Sequence, residues 1–336
     1  MRLPKAKRQG DVVENLEKSV RAAMRKLEKG SIAGLSALWE NTSRNLKASL
    51  LMEYKRATPH GRWDIERAKA TGTLYRMERI IMRHMEDFKQ SARVYIGKEL
   101  KTHYDHEFLT SAYILDQVTP PNHHIKITPG LTPAHEAVIK AGPTAAIMWF
   151  QRFDGWASAY ESALKQNIML NAINGGIADS VAADVDATRA GTPAVTFWDA
   201  MGRLFLNEIL AAQEAARSMM VGLNADAVSE EIWQTSEREN VCLDCWPRNG
   251  KTRTELEAEG EDEDPPLHPN CACWYRVMPK DWIELSKSDP VLAHALDVAE
   301  AVPDGMYIRD EQGNIKAAAV VSFSDWTKDK LSVGGY

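Results

Sequence analysis

Apolar residues recur at three- and four-residue steps through the first hundred positions. Between 11 and 29 the stripe is Val12, Leu16, Val20, Ala23, Met24 and Leu27, with Gly30 following as a stop, which predicts an amphipathic helix. Leu35, Leu38, Trp39, Leu46, Leu50 and Tyr54 predict a second helix that starts near Ser31 or Gly34 and ends by Thr58 and Pro59. The longest periodic stretch runs from Trp63 to Phe108 without a proline, through Ile65, Leu74, Met77, Ile81, Met85, Phe88, Ile96, Leu100 and Tyr104. It predicts one long helix, or shorter ones broken near Gly72 or Gly97. Helices with such stripes either bundle with one another or offer a face to another protein.

Residues 119–133, TPPNHHIKITPGLTP, carry four prolines in fifteen positions and mark a linker. His123 and His124 within it lack cysteines or carboxylates at ligand spacing and read as surface histidines. Helices are predicted at 133–141, 144–172 and 196–221, separated by turns at Gly175-Gly176 and at 191–193. Met148, Trp149, Phe150, Phe153, Trp156 and Tyr160 form an aromatic cluster that reads as core. Near the end, MYIRDEQGNIKAAAVVSF predicts a β-hairpin. No fixed-period repeat is present. The fold class expected is mainly α, with a small α+β part near the C-terminus. The organisation expected is a long-helix region over 1–118, the linker 119–133, a domain over 134–280 and an extension over 281–336.

At 336 residues and 44% hydrophobic, the chain is long enough for two modest cores. No apolar run approaches the ~18 to 20 residues that cross a bilayer, and the basic start MRLPKAKRQG leads into charged DVVENLEK rather than an apolar signal core. The expectation is a protein neither secreted nor membrane-embedded. Residues 1–110 hold 23 Lys and Arg against 14 Asp and Glu, a net of +9, inside a chain whose total is −6. A basic first third suits either DNA or an acidic protein surface, and equally a solvated helical face.

All four cysteines fall between 242 and 273. Cys242-x2-Cys245 is followed, after a long spacer, by His268-x2-Cys271-x-Cys273, so five soft or borderline donors stand where a tetrahedral ion needs four. A C-x2-C turn lets two thiolates reach one ion; His268 and Cys271 repeat that spacing, and Cys271 and Cys273 on an extended segment face the same way. The spacer has seven acids over 255–264 and little apolar matter, so a structural zinc ion would hold the region together. Disulfides or free thiols are the second reading and a Cys-His nucleophile the third, because catalysis needs one activated thiol rather than four. ELEAEGEDED does not match an EF-hand loop and reads as a solvated acidic loop, with docking to a basic partner as the sharper alternative.

The block EIWQT at 231–235, ENVCLDC, a spacer with Gly250, then PPLHPNCAC running into WYRVMP resembles the phage Mu F-like minor head proteins, or head morphogenesis proteins. The resemblance covers about residues 140–280 and is specific over 231–279. That family usually carries arginine between the last two cysteines. Here Ala272 stands in its place, so its contact is lost or supplied elsewhere, with Arg276 as the candidate. The resemblance implies that Cys242, Cys245, His268, Cys271 and Cys273 form a metal knuckle preceded by Trp233. It also implies a virion protein that binds the phage portal protein inside the capsid, alongside the major capsid or scaffolding protein, after assembly in the host cytoplasm. In some members DNA is contacted.

The chain has no G-x-x-x-x-G-K-[ST], G-x-G-x-x-G, G-x-S-x-G or H-E-x-x-H. A non-enzymatic assembly role is therefore expected. Two alternatives remain. One is a DNA-binding virion protein using the basic first third; the other is a toxin-like enzyme, since Mu F-like domains occur fused to ADP-ribosyltransferases. About 56 residues follow 280, too few for such a catalytic domain.

Overall fold

The stripes of the first hundred residues become very long helices. The computed structural model describes residues 6–58, 61–119, 123–127, 149–190, 197–235, 243–261, 263–268, 271–280, 285, 307–309, 315–317 and 322–333. Helix α1 is Ala6–Ala57, α2 Ile65–Ala70, α3 Thr73–Val118, α4 Trp149–Ile173, α5 Ala178–Ala190 and α6 Phe197–Leu223. Strand β1 (Val228–Gln234), helix α7 (Arg253–Ala258) and strand β2 (Trp274–Pro279) follow, then β3 (Tyr307–Arg309), β4 (Ile315–Ala317) and α8 (Phe323–Val333). The architecture is mainly α with a small α+β part, as expected from the sequence. Among the described residues, no helix is long and apolar enough to cross a membrane.

Gly30 was expected to stop a helix, and it does not: α1 runs through both Gly30 and Gly34. A helical glycine costs about 1 kcal/mol relative to alanine, and the fully buried Leu35 and Trp39 on the same helix outweigh that. Gly34 has a packing reason to be there. A Cβ at this position would lie 2.1 Å from the Tyr95 hydroxyl, which donates to the Ser31 carbonyl at 2.9 Å. Of the two breaks considered for the third helix, the one at Gly72 occurs, where φ is +66°, and α3 passes straight through Gly97. Asp64 caps α2 by accepting from the backbone N–H groups of Glu66 and Arg67.

The chain divides into two units: residues 28–100 with 139–208, and residues 1–27 with 101–138 and 209–336. In the first, the helical unit, Trp39 is fully buried, with ring centroids 5.0 Å from Phe88 and 4.9 Å from Tyr160, both edge-on. Leu46, Leu50, Met85, Phe153 and Leu164 extend this core. The Gly175-Gly176 turn is present, and its Gly176 carbonyl accepts from the Trp63 backbone and from the Tyr54 hydroxyl. Helix α5 was not anticipated; it buries only Val181 and Val185 in its described part, too sparse a stripe to stand out. Trp156 corrects the aromatic-cluster expectation, being 46% exposed while Trp149, Phe153 and Tyr160 are buried. The expected helix over 133–141, positions 144–148 and Met148 lie outside the described residues.

The second unit, the knuckle unit, is built on a buried charge network. Glu107 on α3 is fully buried and accepts from Arg21 of α1, both bonds at 3.1 Å, and from Arg217 of α6 at 3.1 and 2.6 Å. Arg217 also donates to Glu214 one turn away. Burial works to raise the Glu107 pKa, but the two guanidinium groups outweigh it and hold it below the usual carboxylate value. Burial pushes Glu214 up to about 7, against the opposing charge of Arg217. In the helical unit, burial likewise raises Glu208 to about 7, against Arg152.

Strands β1 and β2 pair antiparallel, with Trp233 opposite Tyr275 and Gln234 opposite Trp274. The expected C-terminal hairpin is present as β3 with β4, Arg309 opposite Ile315, and its turn lies outside the described residues. Helix α8 was not foreseen; its Trp326 indole N–H donates to Asp116 of α3 at 2.7 Å. The linker histidines behave as surface groups: His124 is exposed and His123 is half-buried, 3.9 Å from Asp226.

Candidate metal centre

The candidate donors sit at the end of the β1–β2 pair where Trp233 faces Tyr275. Trp233 is fully buried and its ring lies edge-on to Tyr275, centroids 5.3 Å apart. Together with Leu256, Cys245 and Cys271 these make a small core, flanked by Leu267 and Cys273. Arg248 lies over the Trp233 ring at 5.6 Å, and Arg253 over Tyr275 at 4.1 Å.

Backbone bonds fix where Cys245 falls. The segment returning from the cysteine turn pairs with β1: the Trp233 N–H donates to the Lys251 carbonyl, and the Gly250 N–H to the Trp233 carbonyl, each at 2.8 Å. Gly250 has φ +82°, a conformation that favours glycine, which explains why glycine stands there. Residues 246–248 form one 3-10 turn, closed by the Arg248 N–H donating to the Cys245 carbonyl at 3.2 Å. Asn249 accepts from both the backbone and the hydroxyl of Thr235, tying the turn to the end of β1. On the other side, the Cys271 N–H donates to the His268 carbonyl at 3.0 Å. This brings the two residues of the H-x2-C pair to one place.

The result is a three-donor cluster. Cys245 Sγ lies 3.2 Å from His268 Nε2 and 3.7 Å from Cys271 Sγ, and the three ligand atoms lie within 4.8 Å of one another. Cys245 and Cys271 are 1% and 2% exposed, and His268 is half-buried. Such a set can hold a metal ion. Cys273, half-buried, hydrogen-bonds through its side chain to Cys271 and lies outside the three-donor group. That bond is the largest influence holding the Cys271 thiol down at about 5, against burial, which raises it. Cys245, Cys271 and Cys273 are all free of disulfides. Cys242 lies outside the described residues.

The acidic spacer was expected to be a solvated loop, and the structure corrects this. Its first part is α7, opened by a capping box in which Thr252 accepts from the Glu255 N–H and the Glu255 carboxylate accepts from the Thr252 N–H. Leu256 on α7 is fully buried. Glu261 pairs with Arg248 at 2.7 Å and Asp264 with Arg253 at 2.6 Å, while Arg253 also donates to Glu231 on β1. The acids therefore brace the knuckle from outside. The signal for this was in the sequence as T-x-x-E ahead of Leu256. Arg276, the candidate stand-in for the missing arginine at Ala272, points elsewhere: it donates to Glu17 on α1 at 2.7 Å.

Comparison of the chain with protein-family models, with curated proteins and with solved structures found no match.

Proposed function

We propose that the chain is a minor head protein of a tailed phage. In this reading it binds the portal protein inside the assembling capsid and assists head assembly or DNA packaging, and its knuckle holds one structural zinc ion. One observation carries the reading: Cys245, His268 and Cys271 converge within the same strand–turn–strand block whose spacing resembles the Mu F-like head proteins.

The distances are near those of donors around a small tetrahedral ion, and thiolates with an imidazole are the donor set that zinc takes. Thiolates about 2.3 Å from a tetrahedral ion lie about 3.8 Å apart, and a thiolate and an imidazole nitrogen about 3.6 Å apart. Cys245 and Cys271 stand at 3.7 Å, with His268 at 3.2 Å from Cys245. Zinc bound here would cross-link the turn after β1 to the segment leading into β2, a region with only five residues in its buried core. The fourth ligand in this reading is Cys242 or Cys273.

The test is metal content by mass spectrometry on freshly purified, reduced protein, together with a pull-down against the portal protein of the same phage. About one zinc per chain and capture of the portal are the expected results. Thiols that titrate freely with no metal present would remove the zinc site, and a portal that fails to bind would remove the assembly role.

A further inference from the structure

The turn that delivers Cys245 inward delivers two large apolar side chains outward. Leu243 is 89% exposed and Trp246 is 62% exposed, the only exposed large apolar side chains of the knuckle unit among its described residues. They flank a cysteine that is 1% exposed, on a turn fixed by the Cys245 carbonyl and by the Asn249 N–H donating to the Trp246 carbonyl at 3.1 Å. Trp246 is thus held out on a short, internally bonded turn. Exposed tryptophans on a preformed turn have the properties of binding anchors: large contact area and little freedom to lose.

The surroundings select the partner. Residues 243–264 carry eight acids and three cations. All three cations are engaged by carboxylates: Arg248 by Glu261, Lys251 by Glu259, and Arg253 by Glu231 and Asp264. Asp244, Glu257 and Glu263 are exposed. A phosphate backbone would be repelled from such a rim, whereas a positively charged chain would be drawn to it.

We infer that Leu243 and Trp246 are the apolar anchors of a docking tip for a cationic protein segment that carries apolar residues, the acids of the same segment supplying the complementary charge. This rests on the reading of the turn as part of a metal knuckle. The test uses the full-length, metal-loaded protein and a fluorescently labelled amphipathic peptide of lysine and leucine, followed by anisotropy, with zinc content measured for every variant. Wild type is expected to bind. Trp246→Ala and Leu243→Ser should each weaken binding by about tenfold or more, and Glu257→Lys with Glu263→Lys should weaken it further, all with zinc unchanged. Unchanged binding by Trp246→Ala at normal zinc content overturns the docking tip and leaves the knuckle reading standing. It is also overturned if wild type ignores the peptide, or if Trp246→Ala abolishes instead the binding of a single-stranded oligonucleotide or self-association of the chain. Wild type purified without zinc overturns the metal reading, and this inference with it.

Discussion

In the helical unit, Trp39 is fully buried between Phe88 and Tyr160, with Leu46, Leu50, Met85 and Phe153 continuing the same interior. At the β1–β2 pair the interior is Trp233, Tyr275, Leu256 and two cysteines, ringed by ion pairs. The first is lined by large apolar side chains throughout, whereas the second holds five buried residues of which two are thiols, and those thiols would contribute more as ligands than as apolar filler. Buried charge is paired in both units, at Glu208 with Arg152 and at Glu107 with Arg217, and around the Cys/His cluster charge is paired at the rim.

The largest way to break this comparison is to take away the ion that the proposed zinc site would hold. Structural zinc sites in small peptides contribute about 10 to 16 kcal/mol to folding, so chelation, Cys245→Ser or Cys271→Ser should abolish amide-exchange protection across β1 and β2. Helices α1 and α3 within residues 28–100 should keep theirs; equal loss there would show that the two regions are not held separately. Trp39→Ala should act the other way round, costing about 3 to 5 kcal/mol in chemical denaturation while leaving zinc content unchanged. Glu107→Ala takes the shared carboxylate from Arg21 and leaves Arg217 with Glu214, and should cost about 3 kcal/mol or more, seen as a lower denaturation midpoint.

The buried carboxylates, one in each unit, and the Cys/His cluster should respond to pH in opposite senses. Glu208 and Glu214 have folded-state pKa values raised to about 7 from 4.5, so the folded chain binds more protons than the unfolded chain between those values. Their contribution is fully present below about 4.5 and is lost as pH rises through about 7. Urea midpoints should therefore fall from about pH 5 to about pH 8, and Glu214→Gln should lessen that fall by on the order of 2 kcal/mol. Metal binding needs deprotonated thiols and imidazole, so knuckle protection should instead weaken on acidification. The smallest effect is expected from Thr252→Ala, about 1 kcal/mol, confined to α7 and read by amide exchange at Glu255 and Leu256.

Periodicity made the long helices legible, because a stripe over dozens of residues leaves little choice of period, although the stripe predicts a helix only to Phe108 and α3 runs on to Val118, where the proline-rich linker begins. It misjudged Gly30 and Gly34, since a glycine's local cost is visible in sequence and the tertiary burial of Leu35 and the Tyr95 contact are not. Helix α5 escaped because its stripe is thin, and α7 because its charge drew attention away from Thr252 and Glu255. At the site, the pairing of His268 with Cys271 could be read from spacing. That Cys273 would bond to Cys271 from outside the three-donor group could not, because extended spacing gives a face and no distance.

The pairing of β1 with β2 spans about 39 intervening residues, from Thr235 to Cys273. Closing a loop of that length costs about 3 kcal/mol of chain entropy, whereas each turn of α1 or α3 needs only its neighbours. During synthesis, β1 therefore emerges with no partner strand, and Cys245 with neither His268 nor Cys271 to share an ion. In the zinc reading, the ion can be shared by these donors only once the chain has been made past Cys271. A chain that stops short of this point has β1 with an open strand edge and Cys245 without His268 or Cys271 beside it.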